Sequence, residues 1–225
     1  MSNLNPPKME KTEQLRLARI KLKEAGKNPT SIGKTNLLLT LLLIYKWGYT
    51  TPSITKLFLG ITRGGYLQKL TDQGFLRKVK TESGNPKYIY TLTESGLSEA
   101  ERHASFQIRY VEIDPYRINQ QLLRHNLLTQ EITISAVVSG AVDDYLSERM
   151  LSVQDKPGKK RVDACWLKSS LKTGIEVELS KKWDRKLDEF VSGVISAIEN
   201  NIYSQFIIFS DSPAIIAAYS LAMQP

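Results

Sequence analysis

The stretch LTDQGFLRKVKTESGNPKYIYTLTESG, residues 70–96, decides the fold of the first half of this chain. A helical pattern ends at Gly74, and residues 75–80 follow as a β-prone run. The turn-forming residues 83–86 separate this run from a second one, residues 88–92, in which side chains alternate as a strand requires. The pattern predicts a two-stranded hairpin, followed by a helix that ends near residue 103.

Three helices are predicted before this hairpin. The first spans residues 35–47, and the second begins where Thr51 can cap the helix and Pro52 suits its first turn. The third is predicted over residues 62–71. Three helices and then a hairpin is the order of a winged helix-turn-helix domain, whose last helix enters the major groove of DNA. Residues 70–96 resemble winged-helix DNA-binding domains, which implies DNA binding by this half.

The basic charge of the chain lies in its first half. Residues 1–100 hold 16 basic and 7 acidic residues, whereas residues 101–225 hold 15 basic and 16 acidic residues. This asymmetry favours a polyanionic partner for the first half. A winged helix used for protein contacts, or a basic surface without a partner, remains an alternative. The predicted DNA-contacting residues are Arg63, Tyr66, Gln68 and Lys69 on the third helix, and Arg77, Lys78, Lys80 and Lys87 on the hairpin.

The chain divides into three predicted regions: a basic arm over 1–33, the winged helix over 34–104, and a second domain over 105–225. Within the arm, residues 9–25 have the pattern of a basic amphipathic helix. This helix either contacts DNA or packs as an ordinary first helix with a solvated face.

The segment RVDACWLKSSLKTGIEVELSKKWDRK, residues 161–186, carries the candidate chemistry. A hairpin turn centred on Ser169-Ser170 places Asp163 directly opposite Glu176, with Cβ atoms roughly 5 Å apart. Side-chain alternation puts Glu178 on the same face as Glu176. Carboxylates this close together repel each other, and a divalent cation, Mg²⁺ or Mn²⁺, would supply the missing charge. The predicted metal ligands are therefore these three carboxylates. An exposed acidic face covered by solvent is the alternative.

This pattern resembles the PD-(D/E)xK nuclease superfamily, in which an Asp precedes a partner strand bearing Glu-x-Lys. The resemblance implies a mixed sheet flanked by helices and a metal-dependent endonuclease site. Here Glu178 occupies the usual lysine position, so the resemblance points to Lys181 as the catalytic lysine. The base is then Glu178 or a water bound to a lysine. It also implies a fourth metal ligand on the preceding helix, Glu131, with His125 nearby. The predicted catalytic residues are Asp163, Glu176, Glu178 and Lys181.

The whole layout resembles the plasmid replication-relaxation proteins and, among them, the MobC-type mobilisation relaxases. This resemblance rests on the order winged helix, RHNLLTQE, RVDACW and GIEVELSKK. It implies site-specific nicking of double-stranded plasmid DNA at a transfer or mobilisation origin, with an accessory mobilisation protein and a possible homodimer. The alternative is a non-catalytic DNA-binding regulator or replication accessory protein whose degenerate nuclease-like domain dimerises.

Composition excludes several other sites. Two histidines, His103 and His125, and one cysteine cannot form a four-ligand zinc site without carboxylates, nor the three-histidine metal site of the common relaxases. A tyrosine nucleophile without that metal site stays open. The longest apolar stretch, residues 37–45, is about half the ~20 residues of a membrane span. No apolar run follows a basic start at the N-terminus, so we expect an α+β protein of the cytoplasm without a membrane partner.

Overall fold

The computed structural model describes residues 29–108, 111–152, 161–182 and 185–223, so the predicted basic helix over 9–25 lies outside the described residues. Within those ranges the chain is a mixed α/β protein with eight α-helices and two small sheets, which confirms the α+β class at this level. None of the helices in these ranges is long and apolar enough to cross a membrane.

The first half folds in the predicted order of three helices, a hairpin and a helix. Its elements are α1 (Pro29–Trp47), α2 (Pro52–Leu59), α3 (Tyr66–Asp72), β1 (Leu76–Lys80), β2 (Tyr88–Leu92) and α4 (Glu94–His103). The hydroxyl of Thr51 accepts a hydrogen bond from the Ile54 N–H at 3.3 Å, which caps α2 as predicted. β1 and β2 pair antiparallel from Leu76↔Leu92 to Lys80↔Tyr88.

Helix α3 begins four residues later than predicted. Gly65 precedes it with φ of +80°, a left-handed conformation that a helix cannot continue through and that favours glycine. The prediction that Arg63 lies on this helix is therefore wrong, because Arg63 belongs to the loop before it. Tyr66, Gln68 and Lys69 do lie on α3.

The second half contains a four-stranded sheet in the order β3-β4-β5-β6, in which β5 and β6 are parallel and the other pairs antiparallel. Its elements are α5 (Leu123–Val138), β3 (Asp144–Ser147), α6 (Glu148–Ser152), β4 (Ala164–Lys168), β5 (Leu171–Val177), α7 (Arg185–Glu199), β6 (Gln205–Phe209) and α8 (Pro213–Ala222).

Three local features shape this half. Residues 143–150 form β3 and the start of α6, and β3 pairs with β4 along its length. The β4–β5 hairpin turns at Ser169-Ser170, as predicted, since β5 already pairs with β4 from Leu171. Helix α5 starts at Leu123, after two short 3₁₀ turns.

One buried apolar cluster joins the two halves. Leu43 of α1 packs in the same cluster as Leu127 of α5. The Gln130 side-chain amide, also on α5, donates a hydrogen bond to the Tyr49 carbonyl at 3.1 Å. The apolar core is thus continuous across the domain boundary predicted between residues 104 and 105. Helix α5 packs directly against the first half.

Candidate functional site

A cleft of about 360 Å³ opens where β5 ends beside the start of α5. We call it the acidic cleft, because the side chains lining it include three carboxylates. The residues lining it are Gln121, Leu122, Arg124, His125, Asp163, Glu176, Val177, Glu178, Leu179, Ser180 and Lys182. The structure thus brings the three carboxylates predicted from residues 161–186 to one place.

Backbone register places Asp163 opposite Glu176, as predicted. The pair Ala164↔Ile175 is the first of the β4–β5 ladder, and the Asp163 N–H extends it by donating to the Ile175 carbonyl at 3.0 Å. The Asp163 Oδ2 atom accepts a hydrogen bond from the Val177 N–H at 2.7 Å. The Asp163 carboxylate is therefore fixed against the end of β5.

The two glutamates of the cleft are buried, with exposures of 4% for Glu176 and 5% for Glu178. A buried carboxylate is costly unless a cation or hydrogen-bond donors compensate it. The Lys182 ammonium pairs directly with Glu178. Burial acts to lower the pKa of Lys182, but the hydrogen bond to Glu178 and its charge, aided by Glu176, raise that pKa above its usual value. Lys182 thus stays charged at neutral pH.

His125 is a residue of the cleft to which the sequence analysis gave no role. Its Nε2 atom lies 3.2 Å from Asp163 Oδ2 and 2.9 Å from the Val177 carbonyl oxygen, and its Nδ1 atom lies 3.0 Å from Asn126 Oδ1. The hydrogen bond to Asp163 raises the pKa of His125 to about 9, against burial, which opposes the charge. The imidazole is therefore protonated at neutral pH and forms an ion pair with Asp163.

The structure separates two predicted residues from the cleft lining. Lys182, not the predicted Lys181, lines the cleft, because the chain turns away from strand geometry after β5. Glu131 is exposed on α5, six residues beyond His125, which is about 9 Å along the axis and about 120° around the helix. Helical geometry thus directs Glu131 away from the carboxylates.

The carboxylates fit a hard cation only as a partial ligand set. Among residues 29–108, 111–152, 161–182 and 185–223, no three His, Cys, Asp or Glu side chains are arranged to hold a metal ion together. Mg²⁺ needs fewer protein ligands, since it binds through one or two carboxylates and completes its shell with waters and phosphate oxygens. Asp163 and Glu176, which the β4–β5 register sets opposite each other at the cleft, are the pair that would hold such an ion, while Glu178 is engaged by Lys182.

The predicted DNA-contacting side chains of the first half are mostly exposed. Exposed residues of this set are Arg63, Lys69, Arg77, Lys78, Lys80 and Lys87. Tyr66 is half-buried, and burial raises the pKa of its hydroxyl. The Lys78 ammonium donates to Gln68 Oε1 at 3.2 Å and lies 4.3 Å from the centre of the Tyr88 ring. These contacts place Lys78 of the hairpin beside α3, and we call the exposed lysines of these two elements the basic surface. Arg77 faces the other side of β1 and lines a separate pocket with Glu94, Glu112 and Asp114.

The hairpin tip also contacts the segment next to the acidic cleft. At its tip, the Glu82 N–H donates to Gln120 Oε1 at 3.4 Å. The next residue, Gln121, lines the cleft. The residue that the hairpin tip contacts therefore lies one position along the chain from the cleft lining.

Comparison of the chain with family models, with curated proteins and with solved structures yields no significant match. The function is therefore argued from the acidic cleft and the basic surface alone.

Proposed function

We propose that this chain is a metal-dependent DNA endonuclease of the relaxase kind, which nicks one strand of a plasmid transfer or mobilisation origin. In this proposal residues 34–104 form a winged helix that binds double-stranded DNA, and the sheet of residues 105–225 is a PD-(D/E)xK-like nuclease domain. The observation that carries it is the opposed pair Asp163 and Glu176 in a cleft that begins one residue after Gln120, which the hairpin tip contacts.

The side chains of the cleft divide the work of phosphodiester cleavage. Asp163 and Glu176 would hold Mg²⁺ or Mn²⁺, which supplies Lewis-acid activation of water and phosphate when bound. Lys182 lies beside Glu178 and can stabilise negative charge that develops on the phosphate. Glu178, which is paired with Lys182, would accept the proton of the attacking water. Lys182 takes the role that the sequence pattern gave to Lys181.

The basic surface supplies affinity for DNA in this proposal. Exposed lysines on α3 and the hairpin contact phosphates, and such contacts release counterions and make binding salt-dependent. The origin sequence is read by side chains of α3, including Gln68 and Lys69. An accessory mobilisation protein and a second copy of the chain are further partners that the relaxase resemblance implies.

The test is nicking of supercoiled origin plasmid with Mg²⁺ or Mn²⁺, with and without EDTA. Asp163→Ala and Glu176→Ala are expected to abolish nicking and to leave DNA binding in gel-shift assays unchanged. Glu131→Ala is the matched control, an acidic residue of α5 outside the cleft lining, and it should nick like the wild type. Full nicking by both cleft variants, or nicking that survives EDTA, would refute the proposal.

A second function is favoured by the cations in the cleft. His125 and Lys182 already balance Asp163 and Glu178, so the carboxylates can also be a structural network. The chain would then be a non-catalytic DNA-binding regulator or replication accessory protein. This alternative expects DNA binding that does not depend on a metal, and no nicking with either Mg²⁺ or Mn²⁺.

A further inference from the structure

We propose that His125 is a positioning residue, which holds Asp163 Oδ2 against the protein and so leaves Oδ1 as the oxygen available to a divalent cation. The inference rests on the proposed function, because it assigns a purpose to His125 at the same cleft.

The geometry around Asp163 carries the inference. The Oδ2 atom receives the Val177 N–H at 2.7 Å and faces His125 Nε2 at 3.2 Å. The Val177 N–H thus occupies one lone-pair position of Oδ2, and the imidazole lies against the same oxygen as an ion-pair partner. The same Nε2 atom lies 2.9 Å from the Val177 carbonyl, so the imidazole bridges Asp163 and the end of β5.

The position of His125 is itself fixed by the first half of the chain. Leu123 and Leu127, on either side of His125 in α5, are buried in the cluster shared with α1 and α2. Three residues later, Gln130 donates to the Tyr49 carbonyl at 3.1 Å. The Asn126 side chain holds the other ring nitrogen at 3.0 Å. The imidazole therefore connects α5, which packs against α1 and α2, to the carboxylate of the cleft.

Replacing His125 has two opposite effects on a cation bound at Asp163. Losing the hydrogen-bond donor frees the Asp163 carboxylate to rotate, which weakens binding of the cation. Losing a group that can carry positive charge removes a repulsion, which strengthens binding of the cation. His125→Gln keeps a donor of similar reach and removes the charge. His125→Leu removes both and keeps a similar volume. The two variants therefore separate positioning from electrostatics.

The experiment measures Mn²⁺ affinity of the full chain without DNA, by electron paramagnetic resonance, together with the melting temperature. We expect His125→Leu to bind Mn²⁺ roughly 10- to 100-fold more weakly than the wild type, the usual cost of losing a residue that orients a ligand. His125→Gln should bind as tightly as the wild type or more tightly. His103→Ala, at the other histidine of the chain, should bind like the wild type.

Each outcome decides between the two proposals. If both His125 variants bind Mn²⁺ as well as the wild type while Asp163→Ala does not, the positioning role is wrong and the metal site stands. If the wild type binds Mn²⁺ no better than Asp163→Ala, the metal site fails and the positioning role with it. If His125→Leu does not fold, His125→Asn replaces it, because its amide is too short to reach Asp163. Equal affinities of the Asn and Gln variants then overturn the inference.

Discussion

The ion pair of His125 and Asp163 makes the stability of the protein depend on pH. The pKa of His125 rises from an ordinary 6.5 to about 9 in the folded chain, chiefly through its hydrogen bond to Asp163. A group whose pKa is raised by folding stabilises the fold fully below its unfolded pKa. That stabilisation is lost as the pH rises through the folded value. The loss therefore falls between neutral pH and about pH 10.

The size of the effect follows from the same two values. At ~1.4 kcal/mol for each pH unit between them, protonated His125 contributes about 3 kcal/mol to the free energy of unfolding. The imidazole side chain is only 25% exposed, so solvent screens the pair incompletely. A contribution of this size is a large share of the stability of a domain.

Urea unfolding of the wild type and His125→Gln, in EDTA, measures this contribution at about pH 6 and about pH 10. Other groups that titrate in this range, such as the Cys165 thiol, whose pKa burial raises to about 11, are present in both proteins. Their contributions therefore cancel in the difference between the wild type and His125→Gln. The wild type should exceed the variant by about 3 kcal/mol more at the lower pH than at the higher one. A difference that stays constant across this range would refute a charged imidazole paired with Asp163.

Three further experiments test other parts of the structure. Lys78→Gln should lower the slope of log affinity for DNA against log salt concentration by about 1, and an unchanged slope would place this exposed lysine away from the phosphates. Gly96→Ala should lower the free energy of unfolding by about 3 kcal/mol, because its Cβ would lie 2.1 Å from a backbone carbonyl oxygen. Gly33 is an exposed helical residue with open space around it, so Gly33→Ala should instead raise the free energy of unfolding by up to about 1 kcal/mol. Similar melting temperatures for the two alanine variants would contradict the close packing around Gly96. Lys182→Met removes the cation paired with the buried Glu178 and should lower the free energy of unfolding, measured in urea, by about 2 kcal/mol. Adding Glu178→Gln to this variant should recover part of that loss.

Local patterns were enough to predict the parts of the fold that short-range chemistry determines. The turn at Ser169-Ser170 fixed the register of β4 and β5, and register alone placed Asp163 opposite Glu176. In the same way, Thr51 and the proline after it marked the start of α2.

Features that depend on tertiary packing could not be predicted in this way. The role of His125 depends on how α5 crosses the end of β5, and no spacing within the sequence encodes that crossing. Lys182 lines the cleft in place of Lys181 because strand alternation ends with β5. Arg63 left α3 because the left-handed Gly65 delays the start of that helix. The winged helix, the nuclease domain and the plasmid origin stay predictions.

The most direct test of the central claim is a crystal of the protein soaked in Mn²⁺, with anomalous data collected at the manganese edge. The account predicts an anomalous peak in the acidic cleft, bound by Asp163 Oδ1 and a Glu176 carboxylate oxygen. A cleft without a peak at saturating Mn²⁺, or a peak only at a site away from both carboxylates, would contradict it.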